Sequence, residues 1–351
     1  MSKPETVTVN KLLTRYAQGE RNFSDISLVA AIFNEVTLNR INLSGANLAE
    51  ALMVHTRLIG ANLSRSQLSY ADLSMAVLID ANLTGASMTE TVLHQADLSG
   101  ASLSGAILSQ VNLTGVNLTG ASLIGTCLLN GSQLTDAILV GATMTRSVLS
   151  GAHMTGANLN RSILSEIDLS GANLTGATLI RVHLNQGNLS GANLTGADLS
   201  ESVIQNSNFC IANLTGANLA GANLAGANLN GANLTGANLT GANLTGANLN
   251  GLTLQCADLR LANLSKADLR GANLTGANLA GANLLEADLR LANLTDANLC
   301  GAGLLLTSLR GANLAGANLN QANLIGASLS VANLDDTTME GTILPNGATH
   351  Q

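Results

Sequence analysis

An apolar residue recurs at every fifth position along almost the whole chain. The series starts at Phe23 and runs to Leu128, and after a slip of one residue it runs from Leu134 to Leu344. Leucine fills most of these central positions, a small residue, usually Ala, stands two positions earlier, and Asn or Asp usually stands between them. The consensus is Ala-Asn-Leu-Thr-Gly. A chain with this pattern must build its fold by repeating one short unit.

A period of five fits neither a regular helix nor a long strand. At about 100° per residue, successive central residues would lie about 140° apart around a helix and form no apolar face. A strand alternates with a period of two, and five is odd. A short extended segment followed by a turn does fit, because the Leu and the preceding Ala can then both point inward. Asn and Gly would occupy the surface and the turns, where they are favoured. We therefore expect an all-β solenoid.

Composition narrows the class of protein further. Aromatic residues make up 1% of the 351 residues, charged residues make up 11%, and the net charge is only -7. Abundant Leu with a small net charge argues against disorder. No apolar run approaches the ~20 residues of a membrane span, and Met1–Asn10 lacks the features of a signal peptide. We therefore expect a cytoplasmic protein that does not contact membranes.

The repeat closely resembles that of the pentapeptide-repeat family over positions 23–344. The opening segment, Leu12–Phe23, and the ending, Ile343–Gly347, resemble those of cyanobacterial members of the family. The resemblance implies a right-handed quadrilateral parallel β-helix with four repeats in each coil. The expected organisation is an N-terminal capping segment at 1–22, a β-helix at 23–344 with a slip or bulge at 129–133, and a C-terminal tail at 345–351.

The capping segment carries the spacing of a short amphipathic helix. Val9, Leu12, Leu13, Tyr16 and Ala17 recur at the intervals that place apolar residues on one helix face. We expect Thr8 or Asn10 to cap the helix and Gly19 to end it. Leu12, Leu13 and Tyr16 would then cover the first coil and protect its open edge. No comparable helix covers the last coil, so end-to-end homodimerisation through 330–344 is possible unless the tail blocks it.

The chain offers no recognisable chemistry. Its histidines are isolated, and Cys127, Cys210, Cys256 and Cys300 form no Cys-x-x-Cys pair. No nucleophile elbow, phosphate loop or pair of catalytic carboxylates is present, and a regular solenoid has no deep cleft. We therefore expect no catalytic, cofactor or metal site, and free thiols at the surface.

Outward residues twenty positions apart should stack in neighbouring coils, and this predicts candidate binding surfaces. Large exposed apolar side chains and Arg are typical of protein interfaces. By contrast, the only charged residue in the stretch 202–258 is Asp258, so we interpret that stretch as a spacer. Lys266 and Glu286 are expected to form an ion pair. The candidate partner-binding columns are Arg270, Arg290 and Arg310; Leu285, Leu305 and Ile325; and a smaller pair, Ile59 and Ile79.

These features favour a non-catalytic protein-binding or scaffold module with a regulatory role, because long solenoids present extended surfaces to partners. The alternative is DNA mimicry, since some members of the family bind type II topoisomerases in place of DNA. Mimicry needs dense negative charge, and here 22 acidic residues stand against 15 Lys and Arg. Direct nucleic-acid binding is not expected, because the Arg column is short and is flanked by Asp268 and Asp288.

Overall fold

The computed structural model describes residues 7–128 and 131–351, and its contacts divide the chain into two compact units, residues 1–177 and 178–351. Among the described residues there is one helix, α1 (Val9–Ala17). The strands are reduced to single residues that form isolated parallel bridges, together with one antiparallel bridge between Ile343 and Thr349. The chain is therefore a β-helix with a short N-terminal helix.

Each coil contains four five-residue repeats. Bridged residues are 20 positions apart in both units, as in the pair Asn42 and Asn62 and the pair Asn218 and Asn238. Before the last coil, the backbone N–H of a central residue donates to a carbonyl in the following coil; for example, Leu224 N lies 2.7 Å from Asn243 O. This confirms the twenty-residue coil that the resemblance implied.

The interior is made of the central residues and of the small residues two positions before them. Leu239 is 1% exposed, and Ala237 is fully buried. Burying a Leu side chain stabilises the fold by roughly 1.5–3 kcal/mol. Where a hydroxyl replaces the Ala, it usually finds a carbonyl partner: Ser202 Oγ donates to Leu179 O at 2.7 Å. Ser162 is the exception among the described residues, because its buried Oγ has no hydrogen-bond partner.

A tight turn separates each repeat from the next. In one example, Ala217 N donates to Leu214 O at 3.0 Å, and Gly216 between them has a φ of +64°. A positive φ at the third residue is the signature of a type II turn, and it favours Gly because Gly has no Cβ. This explains why Gly ends the consensus unit.

The Asn of the consensus serves both the turn and the stack. Asn218 Oδ1 accepts a hydrogen bond from Ala220 N at 3.2 Å, which is the local bond that Asn typically makes in turns. Its Nδ2 donates to Asp198 in the preceding coil at 3.1 Å, and Asn238 donates to Asn218 in the same way at 3.0 Å. Ladders of this kind link the coils along one face.

The slip in the sequence is absorbed within one coil. Bridges that span it join residues 21 positions apart, as in Asn112 and Gln133 or Cys127 and Val148. The spacing returns to 20 at once, between Gln133 and His153. The outward columns therefore continue in register, although residues 129–130 of the predicted slip lie outside the described residues.

Helix α1 contacts the first coils. Thr8, rather than Asn10, is the N-cap, and its side chain accepts from Lys11 N. Leu12 is fully buried, Leu13 and Tyr16 are half-buried, and Tyr16 Oη donates to Asn39 O at 3.0 Å. Ala17, which the spacing placed on the apolar face, is exposed.

At the other end, the segment 345–351 turns back on the last repeat. Leu344 N donates to Ala348 O at 2.7 Å, and His350 N donates to Thr342 O at 2.8 Å. Within the described part of the chain, the structure contains no helix with the length and hydrophobicity needed to cross a membrane.

Candidate protein-binding groove

The three arginines of the predicted column lie in consecutive coils. Each directly follows a central Leu, and parallel bridges join the neighbouring positions, from Asp268 to Asp288 and from Asp288 to Ser308. Arg270, Arg290 and Arg310 therefore occupy the same corner of successive coils. All three side chains are exposed.

Two of these arginines are neutralised by their own repeats. Arg270 Nη2 lies 2.6 Å from Asp268 Oδ2, and Arg290 Nη2 lies 2.6 Å from Asp288 Oδ2. Arg270 Nε also lies 3.8 Å from Asp288 Oδ2 in the next coil. The hydrogen bonds from the two guanidinium groups lower the pKa of both carboxyls below their usual range. The four side chains thus form a compact, electrically balanced cluster.

Arg310 differs from the other two arginines because Ser308 stands where they have an Asp. Among residues 7–128 and 131–351, no carboxylate lies within 4.0 Å of its guanidinium, and the side chain makes no hydrogen bond there. Within the described residues, one positive charge at this corner therefore lacks a partner.

A shallow groove of about 500 Å³ runs along the same corner. Beside the arginines it is lined by Leu291, Gly311 and Val331, which follow one another at twenty-residue intervals. A β-carbon at Gly311 would lie 3.0 Å from Cδ2 of Leu291, so the Leu side chain leans over the glycine. Gly311 is therefore the floor of the groove between two aliphatic walls.

The two walls are large apolar side chains in an unfavourable position. Leu291 is 74% exposed at a φ of +60°, and Val331 is 81% exposed at a φ of +51°. Bulky and β-branched residues rarely adopt this left-handed conformation, and each such residue costs of order 1–3 kcal/mol. Gly occupies the equivalent turn position in about half of the repeats, and in every repeat of 212–251. The fold therefore gains little from these side chains, which were missed in the sequence analysis. Their departure from Gly was the available signal.

The predicted apolar column occupies the adjacent corner. Leu285 and Leu305 are half-buried, whereas Ile325 is 41% exposed. Leu306, next to Leu305, is more exposed than either Leu and also has a positive φ. Ser308 lies between this corner and Arg310 along the chain, so the two predicted columns border the same face.

The other candidates are less prominent. Ile59 and Ile79 are both half-buried, and in the same unit Ile32 and Tyr70 are more exposed. The expected ion pair is present, with Lys266 Nζ 4.0 Å from Glu286 Oε2.

The reactive residue types are dispersed. In the described ranges, no group of three or more His, Cys, Asp or Glu side chains could hold a metal ion. Cys127, Cys210, Cys256 and Cys300 are free cysteines with partly or fully exposed side chains.

Comparison with known proteins identifies the repeat. The family described as "Pentapeptide repeats" matches the chain at residues 22–58, 41–74, 56–95, 96–128, 127–165, 152–191, 167–209, 212–251, 242–279, 267–304 and 307–344. These matches cover most of the chain and confirm the resemblance seen in the sequence. No curated protein matched.

Solved structures with the same repeat include two from cyanobacteria. HetL, a pentapeptide repeat protein involved in heterocyst differentiation regulation from Nostoc sp. Strain PCC 7120, is 27% identical. The alignment covers 98% of this chain and 100% of HetL, with a TM-score of 0.26. Rfr23 from Cyanothece 51142 is 42% identical over 30% of this chain and 63% of its own, with a TM-score of 0.21. Because both TM-scores are below 0.5, the family assignment rests on the repeat.

Proposed function

Because the chain belongs to the pentapeptide-repeat family, whose repeats form right-handed β-helices, we propose that it is a non-catalytic protein-binding module. It presents outward side chains on a rigid β-helix to a partner protein and acts as a regulator or scaffold in the cytoplasm. Repeat architectures suit this role because their extended surfaces vary while the interior stays the same.

The observation that supports the proposal is the pair Leu291 and Val331. Both side chains are large, apolar and more than two-thirds exposed, and both hold a strained backbone conformation. Exposed apolar surface beside Arg is typical of protein interfaces. Binding a partner would bury these side chains and compensate for their unfavourable position in the free protein.

The test is recovery of a partner with the full chain, followed by measurement of its affinity for purified variants. The double variant Leu291→Gly/Val331→Gly removes both walls and introduces the residue that the turn prefers. Leu261→Gly is the matched control, because Leu261 is also exposed at a positive φ but does not line the groove. We expect the double variant to weaken binding at least tenfold and the control to leave it unchanged. Equal affinities for all three proteins would refute the role of the groove.

The charges do not favour DNA mimicry. Several acidic side chains are already paired with Arg, including Asp258, Asp268, Asp288, Glu166 and Glu201. Between Ser202 and Ala257 the chain carries no charge at all. A surface that replaces DNA would need a continuous array of unpaired negative groups.

End-to-end association through 330–344 stays a prediction. Leu334 and Met339 are half-exposed, whereas Leu314 and Leu319 in the preceding coil are fully buried. Sedimentation at increasing protein concentration would test it: a Leu334→Glu variant should remain monomeric where the wild type associates.

A further inference from the structure

We propose that the groove binds an extended segment of the partner in which an Asp or Glu stands two positions from a Leu, Ile or Val. This inference rests on the proposed function and specifies the chemistry of the partner. It follows from three properties of the groove, which are an unpaired guanidinium, an aliphatic notch and their spacing.

The carboxylate is the partner of Arg310. In the two preceding coils an Asp two residues earlier binds the equivalent Arg, and Ser308 removes that acid from this coil. The groove thus holds three Arg charges against the two Asp charges, which leaves one positive charge in a chain of net charge -7. Guanidinium binds carboxylate through two parallel hydrogen bonds, and no described residue occupies the donors of Arg310.

The aliphatic residue fits the notch above Gly311. Leu291 and Val331 lie in the coils on either side of this glycine, and coils stack about 4.8 Å apart. The backbones that carry the two walls are therefore roughly 10 Å apart. The Leu291 side chain leans inward and narrows the opening between the walls. A single branched aliphatic side chain matches this opening and would cover apolar surface that water now contacts.

The spacing of the two subsites sets the sequence pattern. Arg310 and Gly311 are consecutive, so the carboxylate and the aliphatic side chain must leave the segment on the same side and close together. In an extended chain, side chains two positions apart share a face. Nucleic acid fits less well, because the groove offers one uncompensated charge and no aromatic side chain for stacking.

The experiment is panning of a phage-displayed library of random eight-residue peptides on the full-length protein. Enriched peptides would then be synthesised, and their affinity measured by fluorescence anisotropy. We expect enrichment of Asp or Glu two positions from Leu, Ile or Val. We also expect binding to weaken as salt is raised, because an exposed ion pair contributes to it.

Ser308→Asp is the decisive variant, because it supplies the acid that the two preceding coils already carry and leaves Arg310 in place. We expect it to weaken the enriched peptides at least tenfold, as should Arg310→Gln. Asn248→Asp is the matched control, since it adds the same charge in the same outward column, three coils away from Ser308. It should leave the affinity within twofold.

The outcomes separate the two proposals. The carboxylate proposal is overturned if the enriched peptides lack an acid and bind the Ser308→Asp variant as tightly as the wild type. If those peptides bind Leu291→Gly/Val331→Gly more weakly, the binding groove still stands. If no enriched peptide depends on Arg310, Leu291 or Val331, both proposals fail. If a single-stranded oligonucleotide binds the same groove more tightly than any peptide, the partner is nucleic acid and the peptide proposal is wrong.

Discussion

Residues 212–251 and 258–331 belong to the same unit and have the same interior, yet their surfaces differ. Both bury Leu at the central position and Ala or a similarly small residue two positions before it in nearly every repeat. In 212–251 the residue with positive φ is Gly throughout, and no side chain is charged. In 258–331 the corresponding positions include Leu, Lys, Glu and Val, and Arg precedes several of them. The two regions share an inward pattern and differ only outside, and we propose that the outward departures in 258–331 serve binding.

The region with a uniform surface is shorter than the sequence predicted. The predicted spacer, 202–258, contains Ile211, which is 68% exposed at a φ of +53°. It stands alone, with Gly191 and Gly231 in the neighbouring coils. The uniform stretch therefore starts after Ile211, and the following predictions use 212–251 as the reference.

The largest expected effect comes from breaking the shared interior. Leu239→Asp places a carboxylate at a position that is 1% exposed, and we expect it to destabilise the unit by about 4 kcal/mol or more. Because each coil contacts only its neighbours, unfolding should separate into two transitions. Differential scanning calorimetry would show this. Leu239→Met is the control, since a volume-conserving change costs less than about 1.5 kcal/mol. A single unchanged transition in the Asp variant would contradict the prediction.

Gly246→Leu places a Leu at a turn position of 212–251, as Leu291 occupies a turn position in the groove. Gly246 has a φ of +62°, and a β-carbon there would meet no atom within 4 Å, so only the backbone opposes the change. We expect a loss of about 1 kcal/mol in the free energy of unfolding, measured in guanidinium chloride. Gly246→Asn should lose less, because Asn tolerates this conformation. If the Leu variant were as stable as the wild type, the argument from strain would not hold.

Leu291→Gly makes the opposite change in the groove. It removes an exposed side chain from a position with positive φ, so the stability should be unchanged or higher by up to about 1 kcal/mol. The measurement is the same denaturant titration, and a small effect would show that the Leu291 side chain does not support the fold. A clear loss of stability would mean that the contact with Gly311 supports the fold.

Lowering the pH should reduce the stability contributed by the charged region, 258–331, and not that of 212–251, which has no charged side chain. Hydrogen bonds from Arg270 and Arg290 lower the pKa of Asp268 and Asp288, so the folded state gains stability above the unfolded pKa of about 3.9. This gain is lost as the pH falls through the lowered folded values. We expect the double variant Asp268→Asn/Asp288→Asn to lose slightly less stability than the wild type between pH 6 and pH 3. Equal losses would show that these ion pairs do not contribute.

DNA mimicry predicts that the protein changes the activity of a type II topoisomerase, whereas the groove proposal predicts no such change. We expect DNA supercoiling by a type II topoisomerase to be unchanged by a large excess of this protein, because 212–251 carries no charge and several acids elsewhere are paired. Inhibition or protection of the enzyme would reverse the order of the two functions.

The sequence predicted the interior well because the period of five constrains it strictly. Leu239 and Ala237 could be placed inward from spacing alone, and the twenty-residue coil aligned Arg270, Arg290 and Arg310. The groove was harder to foresee, since it depends on backbone conformation. That Leu291 leans over Gly311, and that Val331 closes the other side, follows from the shape of the turn. Of the two predicted columns, only the Arg column lines the groove.

The coil also sets a rule for how length changes act on the surface. Since four repeats complete one coil, each repeat advances the chain by about a quarter of a turn. Deleting residues 237–241 would keep every inward Leu in phase, yet it would rotate the groove by that angle relative to the repeats before the deletion. Deleting four repeats would restore the original direction. Within the unit 178–351, the number of repeats therefore sets the direction in which the groove faces around the axis of the β-helix. The packing of the interior is the same for every such direction.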